Sequence, residues 1–284
     1  MNIIVASGKG GTGKTLVAAN LAYALSDQKE VLLVDCDVEE PNLHLFFPQG
    51  GYELPVTTPV PVFDADRCTG CGRCAEVCRY GAITVLKEPP PLFFEKLCHS
   101  CGGCEMSCPE GAIHEEERAI GKIRFSNPRD NIILISGILD EGEVMAPRVI
   151  AAAKSYAGGH PTTILDASPG IACPVVEAMQ GADYCILVTE STPFGLHDLA
   201  LAESVTRCLG IPSGVIINRF SEEDDQVTDF CRSKDLPVLM TIPFDREIAR
   251  IQNTGGLISE SMPAYREKFA DLFSRVTSAG GFSR

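Results

Sequence analysis

Several things are missing from this chain of 284 residues. No stretch of eighteen or more apolar residues occurs, so neither a membrane-spanning helix nor stable membrane insertion is expected. Positive charge is short: 24 Lys and Arg stand against 38 Asp and Glu, a formal net charge of −14. A surface of that sign repels phosphate backbones, so nucleic acid is not an expected partner, and solubility is the plain role of the acidity. A charged leader is missing as well. Met1-Asn2-Ile3-Ile4-Val5-Ala6 runs straight into a glycine loop and reads as a first strand, not a secretory signal. Without a leader, the 13 cysteines do not read as a disulfide framework. Eight of them fall in two tight groups, which in a reducing cytoplasm is the pattern of metal ligation. None of the five histidines sits in a recognisable catalytic or metal motif.

What is present is an ordinary globular composition, 45% apolar and 22% charged, long enough for about two domains. Ile3–Ala6, a glycine loop, an Ala/Leu-rich helix over 16–25 and the apolar run Val31–Val34 predict a βαβ start to a parallel sheet. The rhythm resumes with Ile132–Ile135, Thr163–Leu165, Cys185–Val188 and Gly214–Ile217 as buried strands, with helices near 143–157, 195–209 and 222–234. Between them, residues 48–62, with Pro48, Pro55, Pro59, Pro61 and Gly50-Gly51, read as a linker. Residues 63–117 hold the cysteine groups, and Asp66–Ile83 repeats in Lys96–Ile113 at an offset of thirty residues. The expectation is an α/β domain with a mainly parallel sheet flanked by helices, over 1–57 and 118–284, interrupted by a small α+β unit over 58–117.

Gly8-Lys9-Gly10-Gly11-Thr12-Gly13-Lys14-Thr15 fits G-x-x-x-x-G-K-[ST] between a strand and a helix, the context this phosphate-binding loop requires. Gly8, Gly10, Gly11 and Gly13 let backbone N–H groups converge on phosphate oxygens, and the helix start adds a favourable dipole. Lys14 is placed to neutralise the β- and γ-phosphates, and Thr15 to ligate Mg²⁺ through its hydroxyl. The competing reading is a glycine-rich turn without a ligand.

The second lysine, Lys9, makes the loop similar to the deviant phosphate loop of the MinD/Mrp superfamily of ATPases, which includes the nitrogenase iron protein. The resemblance implies a P-loop NTPase fold, ATP/ADP and Mg²⁺ as ligands, and a homodimer in which Lys9 reaches the partner's nucleotide. Val34-Asp35-Cys36-Asp37, with Pro41-Asn42-Leu43 after it, resembles the first switch; Asp37 would activate water and Asp35 support it. Leu165-Asp166-Ala167-Ser168-Pro169-Gly170 resembles the second switch, which puts Asp166 near Mg²⁺, with Ser168 where the family has proline. Asn218 would contact adenine, and the loop at Pro243 would close over the base. Catalytic residues are thus expected at Lys9, Lys14, Asp37 and Asp166, and Thr12 among the nucleotide-binding residues.

Cys68-x₂-Cys71-x₂-Cys74-x₃-Cys78 and Cys98-x₂-Cys101-x₂-Cys104-x₃-Cys108-Pro109 match the bacterial ferredoxin run. In its two-cluster form the fourth cysteine of each run ligates the other cluster. One [4Fe–4S] cluster would take Cys68, Cys71, Cys74 and Cys108; the other would take Cys98, Cys101, Cys104 and Cys78. Structural zinc is the alternative. Arg79, where proline is usual, is either a cation that raises one potential or a solvated side chain.

Cys173, seven residues after Asp166, has the spacing of the second-switch cysteine of the nitrogenase iron protein. A two-cysteine contact between subunits and a plain free thiol both remain open. Cys36, Cys185, Cys208 and Cys231 read as structural. Tyr265, Phe269, Leu272, Phe273 and Val276 lie at helical spacing without a basic face, which predicts a core-packed helix rather than a membrane anchor. Ser221–Asp225 reads as a solvated helix start. The function expected is a cytoplasmic ATPase that couples nucleotide state to electron transfer, or to metal or iron–sulfur cluster assembly on a partner protein. The alternatives are a ferredoxin-type carrier whose nucleotide only holds the dimer, and a MinD-like positioning ATPase.

Overall fold

In the computed structural model, which describes residues 1–47, 50–221 and 226–279, the predicted apolar runs become the centre of one large sheet. β1 (Asn2–Ala6), α1 (Lys14–Leu25) and β2 (Val31–Cys36) form the opening βαβ unit. The cysteine-bearing excursion follows: β3 (Tyr52–Phe63), α2 (Arg73–Val77), β4 (Ile83–Thr84), β5 (Leu92–Phe93), α3 (Gly103–Ser107) and β6 (Ile113–Arg129). Alternation returns with β7 (Ile132–Leu139), α4 (Ala146–Lys154), β8 (Thr163–Ala167), α5 (Cys173–Met179) and β9 (Tyr184–Glu190). It continues through α6 (Pro193–Cys208), β10 (Ser213–Phe220), α7 (Gln226–Ser233) and β11 (Val238–Pro243). Three helices, α8 (Arg246–Asn253), α9 (Ile258–Ser261) and α10 (Pro263–Ala279), follow the last strand.

The nine strands run in the order β11-β10-β9-β1-β8-β2-β7-β6-β3. Pairing is parallel from β11 to β7 and antiparallel from β7 through β6 to β3. Side chains alternate across a strand, so each strand feeds both faces. Ile3, Val5, Leu33 and Ile216 pack against α1 and α8–α10, while Ile4, Leu32, Val34 and Ile217 pack against α4–α7. This double burial explains why the central strands read as unbroken apolar runs. Tyr265, Phe269, Leu272, Phe273 and Val276 are buried in the first of these cores, so α10 is the packed helix that its periodicity predicts.

The expected linker is corrected. Pro55, Pro59 and Pro61 lie in β3, which is the outer strand of the sheet. An outer strand hydrogen-bonds along one side only, so proline's missing N–H is tolerated there. Pro48 lies outside the described residues, as do residues 222–225 of the expected helix start. β6, which sequence periodicity does not reveal, pairs with β3 from Tyr52↔Phe125 to Phe63↔Ile113. Its charged stretch Glu115-Glu116-Glu117 is tolerated because this end of the ribbon is largely exposed. The ladder crosses the anticipated domain boundary at Thr58↔Arg118, with an irregularity beside it. Val56 pairs with Gly121 and Thr57 with Ala119, which leaves Ile120 as an extra, fully buried residue. Such a bulge bends a strand, and here it lies where the ribbon leaves the main sheet. The cysteine-bearing helices hang from the ribbon's far end.

Candidate functional site

The sheet's parallel strands bring their carboxyl ends to one edge, and most of the expected phosphate-site residues lie there. β1 leads into the glycine loop, β2 ends at Cys36 just before Asp37, β8 carries Asp166, and β10 carries Asn218. In an open α/β sheet this edge is where ligands bind.

The loop's glycines have separate reasons. A Cβ on Gly8 would stand 2.2 Å from the Asp198 carbonyl oxygen, so α6 can approach only a glycine. Gly13 takes φ +98°, and a Cβ there would lie 2.5 Å from the Asn218 amide nitrogen. At Gly10 and Gly11 a Cβ would meet nothing within 4 Å, so the loop faces open space. No side chain caps the start of α1, whose first N–H groups point toward that space. Lys14, the helix's first residue, is buried, and Thr12 Oγ1 is a buried hydroxyl without a hydrogen-bond partner. An uncapped helix start, an open cradle and an orphaned hydroxyl fit a bound phosphate chain.

The three carboxylates differ in environment. Asp35 is fully buried and accepts backbone N–H bonds from Asp37 (3.2 Å), Asn42 (3.0 Å) and Leu43 (3.0 Å), so it shapes the loop after β2. Burial, then the Asp166 charge, hold its pKa well above the ordinary range, partly offset by those N–H groups. Asp166 is its register partner on β8; both its oxygens are buried without a hydrogen bond. Burial pushes Asp166 up to about 7, although the Thr15 hydroxyl and the Lys14 ammonium pull the other way. An orphaned buried carboxyl beside Thr15 fits a divalent cation and its water shell. Asp37, half-buried, is raised by desolvation and drawn back by Lys14 and Ser168. Ser168 also donates to the Cys36 carbonyl at 3.1 Å, and Gly170 N–H to the Ser7 carbonyl at 2.9 Å. These bonds tie the loop after β8 to β2 and to the phosphate loop despite the missing proline.

Asn218 donates from Nδ2 to the Thr12 carbonyl at 2.8 Å and accepts the Arg219 N–H at 2.9 Å. It therefore braces the loop from beneath. Pro243 ends β11 beside β10 and is exposed, with exposed Phe244 next to it. Lys9 lies 3.4 Å from Glu190, which also takes Arg219 at 2.6 Å. Glu190 carries no motif in the sequence; its one local signal is that it ends an apolar strand at the same edge.

The eight motif cysteines form two rings. Cys68, Cys71, Cys74 and Cys108 line one hollow of about 480 Å³, open volume included. Cys78, Cys98, Cys101 and Cys104 line a second of about 400 Å³. Each hollow thus takes three thiols from one run and the fourth from the other. The repeat is structural too: Ala82 N–H donates to Cys78 Sγ and Ala112 N–H to Cys108 Sγ, both at 3.3 Å. Burial raises the Cys74, Cys98 and Cys104 thiols, Cys104 to about 11. Among the described residues, no three or more His, Cys, Asp or Glu converge tightly enough to hold a single metal ion. Arg79 is exposed, as is Cys173 at the first turn of α5. Cys36, Cys185 and Cys231 are buried as expected of structural residues, but Cys208 is exposed at the end of α6.

No helix among the described residues is long and apolar enough to cross a membrane. The sequence model of the CobQ/CobB/MinD/ParA nucleotide binding domain matches residues 3–258. An uncharacterized protein of Methanocaldococcus jannaschii, MJ0579, is 32% identical over 230 residues, 79% of this chain and 82% of its own length. A second, MJ0578 of the same organism, is 27% identical over 279 residues, 97% and 96% of the two chains. Among solved structures, the septum site-determining protein MinD of Pyrococcus horikoshii, complexed with Mg-ADP, superposes with a TM-score of 0.62 at 23% identity. That match covers 99% of this chain and 97% of the other, and it speaks to the fold.

Proposed function

This chain belongs to the CobQ/CobB/MinD/ParA nucleotide-binding family, and we propose that it is a Mg²⁺-dependent ATPase whose inserted unit, about residues 58–117, holds two [4Fe–4S] clusters. Nucleotide state would be coupled to electron transfer, or to metal-cluster assembly on a partner protein. The working form is a homodimer in which Lys9 acts across the interface. The observation that carries the iron–sulfur half is the division of eight cysteines into two four-thiol hollows with Cys78 and Cys108 exchanged.

Zinc and a cubane cluster call for different arrangements of the same thiols. A structural zinc draws four ligands to within about 2.3 Å of one point. A cubane cluster takes one thiolate per iron, so its ligands ring a hollow instead of converging. Four thiols lining each hollow suit the second arrangement. The clusters would supply one-electron storage. On the nucleotide side, the loop N–H groups, Lys14 and Thr15 would hold the phosphates and Mg²⁺, with Asp166 in the ion's outer shell. Asp37, raised but drawn back by Lys14, would orient and deprotonate the attacking water. The Mg-ADP bound by the Pyrococcus neighbour supports this choice of ligand.

A second reading, a MinD-like positioning ATPase with a structural cysteine unit, is favoured by the comparisons, because the solved neighbours with the same fold include cell-division MinD proteins. Anaerobic purification separates the two. About eight irons and eight acid-labile sulfides per chain, an EPR signal on reduction, and Mg²⁺-dependent ATP hydrolysis are expected. Hydrolysis with stoichiometric zinc and no sulfide would remove the redox reading and leave the positioning one.

A further inference from the structure

The cysteine segment repeats itself at an offset of thirty residues, yet its halves meet the rest of the chain differently. Arg118 on β6 holds Glu143 through two nitrogens, at 2.5 and 3.0 Å, and its Nε lies 3.1 Å from Glu95. The Lys96 ammonium rests on Gly142, where an added Cβ would come within 2.8 Å of it. Arg148, in the first turn of α4, donates from Nη2 to the Ser100 carbonyl at 3.0 Å. Lys96 and Ser100 belong to the second repeat, Glu95 immediately precedes it, and all three lie close to Cys98 in the chain. Thirty residues earlier stand Ala65, Asp66 and Gly70, which offer no equivalent side chains to that surface.

The Ser100 contact bears on the thiols. Ser100 takes φ +49°, a left-handed conformation that costs a non-glycine residue, where its counterpart Gly70 takes φ +68° without cost. In that pose its N–H donates to Cys98 Sγ at 3.4 Å. Arg148 therefore grips the peptide that shapes one edge of the second hollow. N–H···S bonds and nearby cations are among the protein's levers on a cluster's potential.

From Arg148 the connection runs to the nucleotide edge. At the other end of α4, Lys154 donates to the carbonyls of Glu177 and Gln180, at the end of α5. α5 follows directly on the Asp166–Gly170 loop, which is bonded to Ser7 and to Cys36. An unbroken series of hydrogen-bonded elements thus joins that loop to α4 and the Arg148 guanidinium.

We propose that the Cys78/Cys98/Cys101/Cys104 site is the nucleotide-responsive one of the two, and that Arg148 is the positioning residue linking it to the loop after β8. The Cys68/Cys71/Cys74/Cys108 site is insensitive to nucleotide. This rests on reading the cysteines as cluster ligands. Binding linkage makes the effect reciprocal, so reduction changes ATP affinity by the same factor as ATP changes the reduction equilibrium.

The test starts from anaerobically purified, iron- and sulfide-assayed protein. EPR-monitored redox titrations are run with Mg-ADP and with a non-hydrolysable Mg-ATP analogue, and analogue affinity is measured for oxidised and reduced protein. One potential of two is expected to shift, and the affinities to differ at least about fivefold, the lower end of ordinary coupling. Cys71→Ala keeps the responsive signal and Cys101→Ala loses it. Arg148→Ala lowers the responsive potential and shrinks the affinity difference, and Arg148→Lys restores part of both. With clusters present, equal potentials in both nucleotide states overturn the proposal, as does a shift that survives Cys101→Ala. Protein that never retains iron and sulfide overturns the cluster reading itself, before any potential is measured.

Discussion

Asp35 and Asp166 are register partners on adjacent parallel strands, two carboxyl groups enclosed in the same part of the sheet. Asp35 is satisfied by three backbone N–H groups, whereas Asp166 has no hydrogen bond. The same side chain in neighbouring positions thus has two environments: Asp35 shapes the loop after β2, and Asp166 is a buried carboxyl with unpartnered oxygens, the feature on which its proposed place near Mg²⁺ rests.

The unligated protein should lose stability as pH rises through this pair's range. The folded Asp166 keeps its proton up to about 7, while an unfolded carboxyl releases its own near 3.8. Between these values the folded state binds more protons, so stability falls with rising pH, and the Asp166 contribution levels off above 7. The slope from one such group is on the order of 1 kcal/mol per pH unit. Asp166→Asn should flatten it in part, since Asp35 is shifted in the same direction. Denaturant titrations at pH 5 and pH 7, without Mg²⁺ or nucleotide, measure this. The same variant should lose Mg²⁺-dependent hydrolysis.

Gly13→Ala should abolish nucleotide binding in a protein that still folds. The new methyl meets the Asn218 amide in a backbone of φ +98°, at a cost of about 1–3 kcal/mol concentrated in the phosphate loop. Asn218→Ala removes the bond to the Thr12 carbonyl and should weaken nucleotide affinity about tenfold, near the effect of one lost buried hydrogen bond. Calorimetry with Mg-ADP reads both, and circular dichroism confirms folding.

Lys9 is held by Glu190 within its own chain, so the proposed action across a dimer would require that contact to open. Glu190→Gln should raise the dimer fraction seen by sedimentation with a non-hydrolysable ATP analogue. Lys9→Ala should keep nucleotide binding but lose the dimer and most turnover. A dimer unaffected by Lys9→Ala would rule out the role in trans.

On the proposed cluster reading, Cys78→Ala should remove the same cluster as Cys98→Ala, although Cys78 belongs to the first run. Cys108→Ala should match Cys68→Ala in the same crossed sense. Each variant should retain about four irons, with paired variants leaving the same EPR signal. Pairing by run instead would contradict the exchange.

The phosphate loop, the central parallel strands and the two cysteine runs are legible in the residues alone. Each is local: a loop motif between strand and helix, apolar runs buried on both faces, fixed cysteine spacings. The tertiary structure alone decided what depends on distant partners. Pro55, Pro59 and Pro61 resemble a linker until β6 pairs with them, because an edge strand lacks the uniform burial that makes central strands legible. Gly8 and Gly13 fit the loop motif, but only the packing of Asp198 and Asn218 shows what each must avoid. Glu190 and Arg148 carry no local pattern. Their significance comes from the residues the fold brings to them, Lys9 in one case and the Ser100 carbonyl in the other.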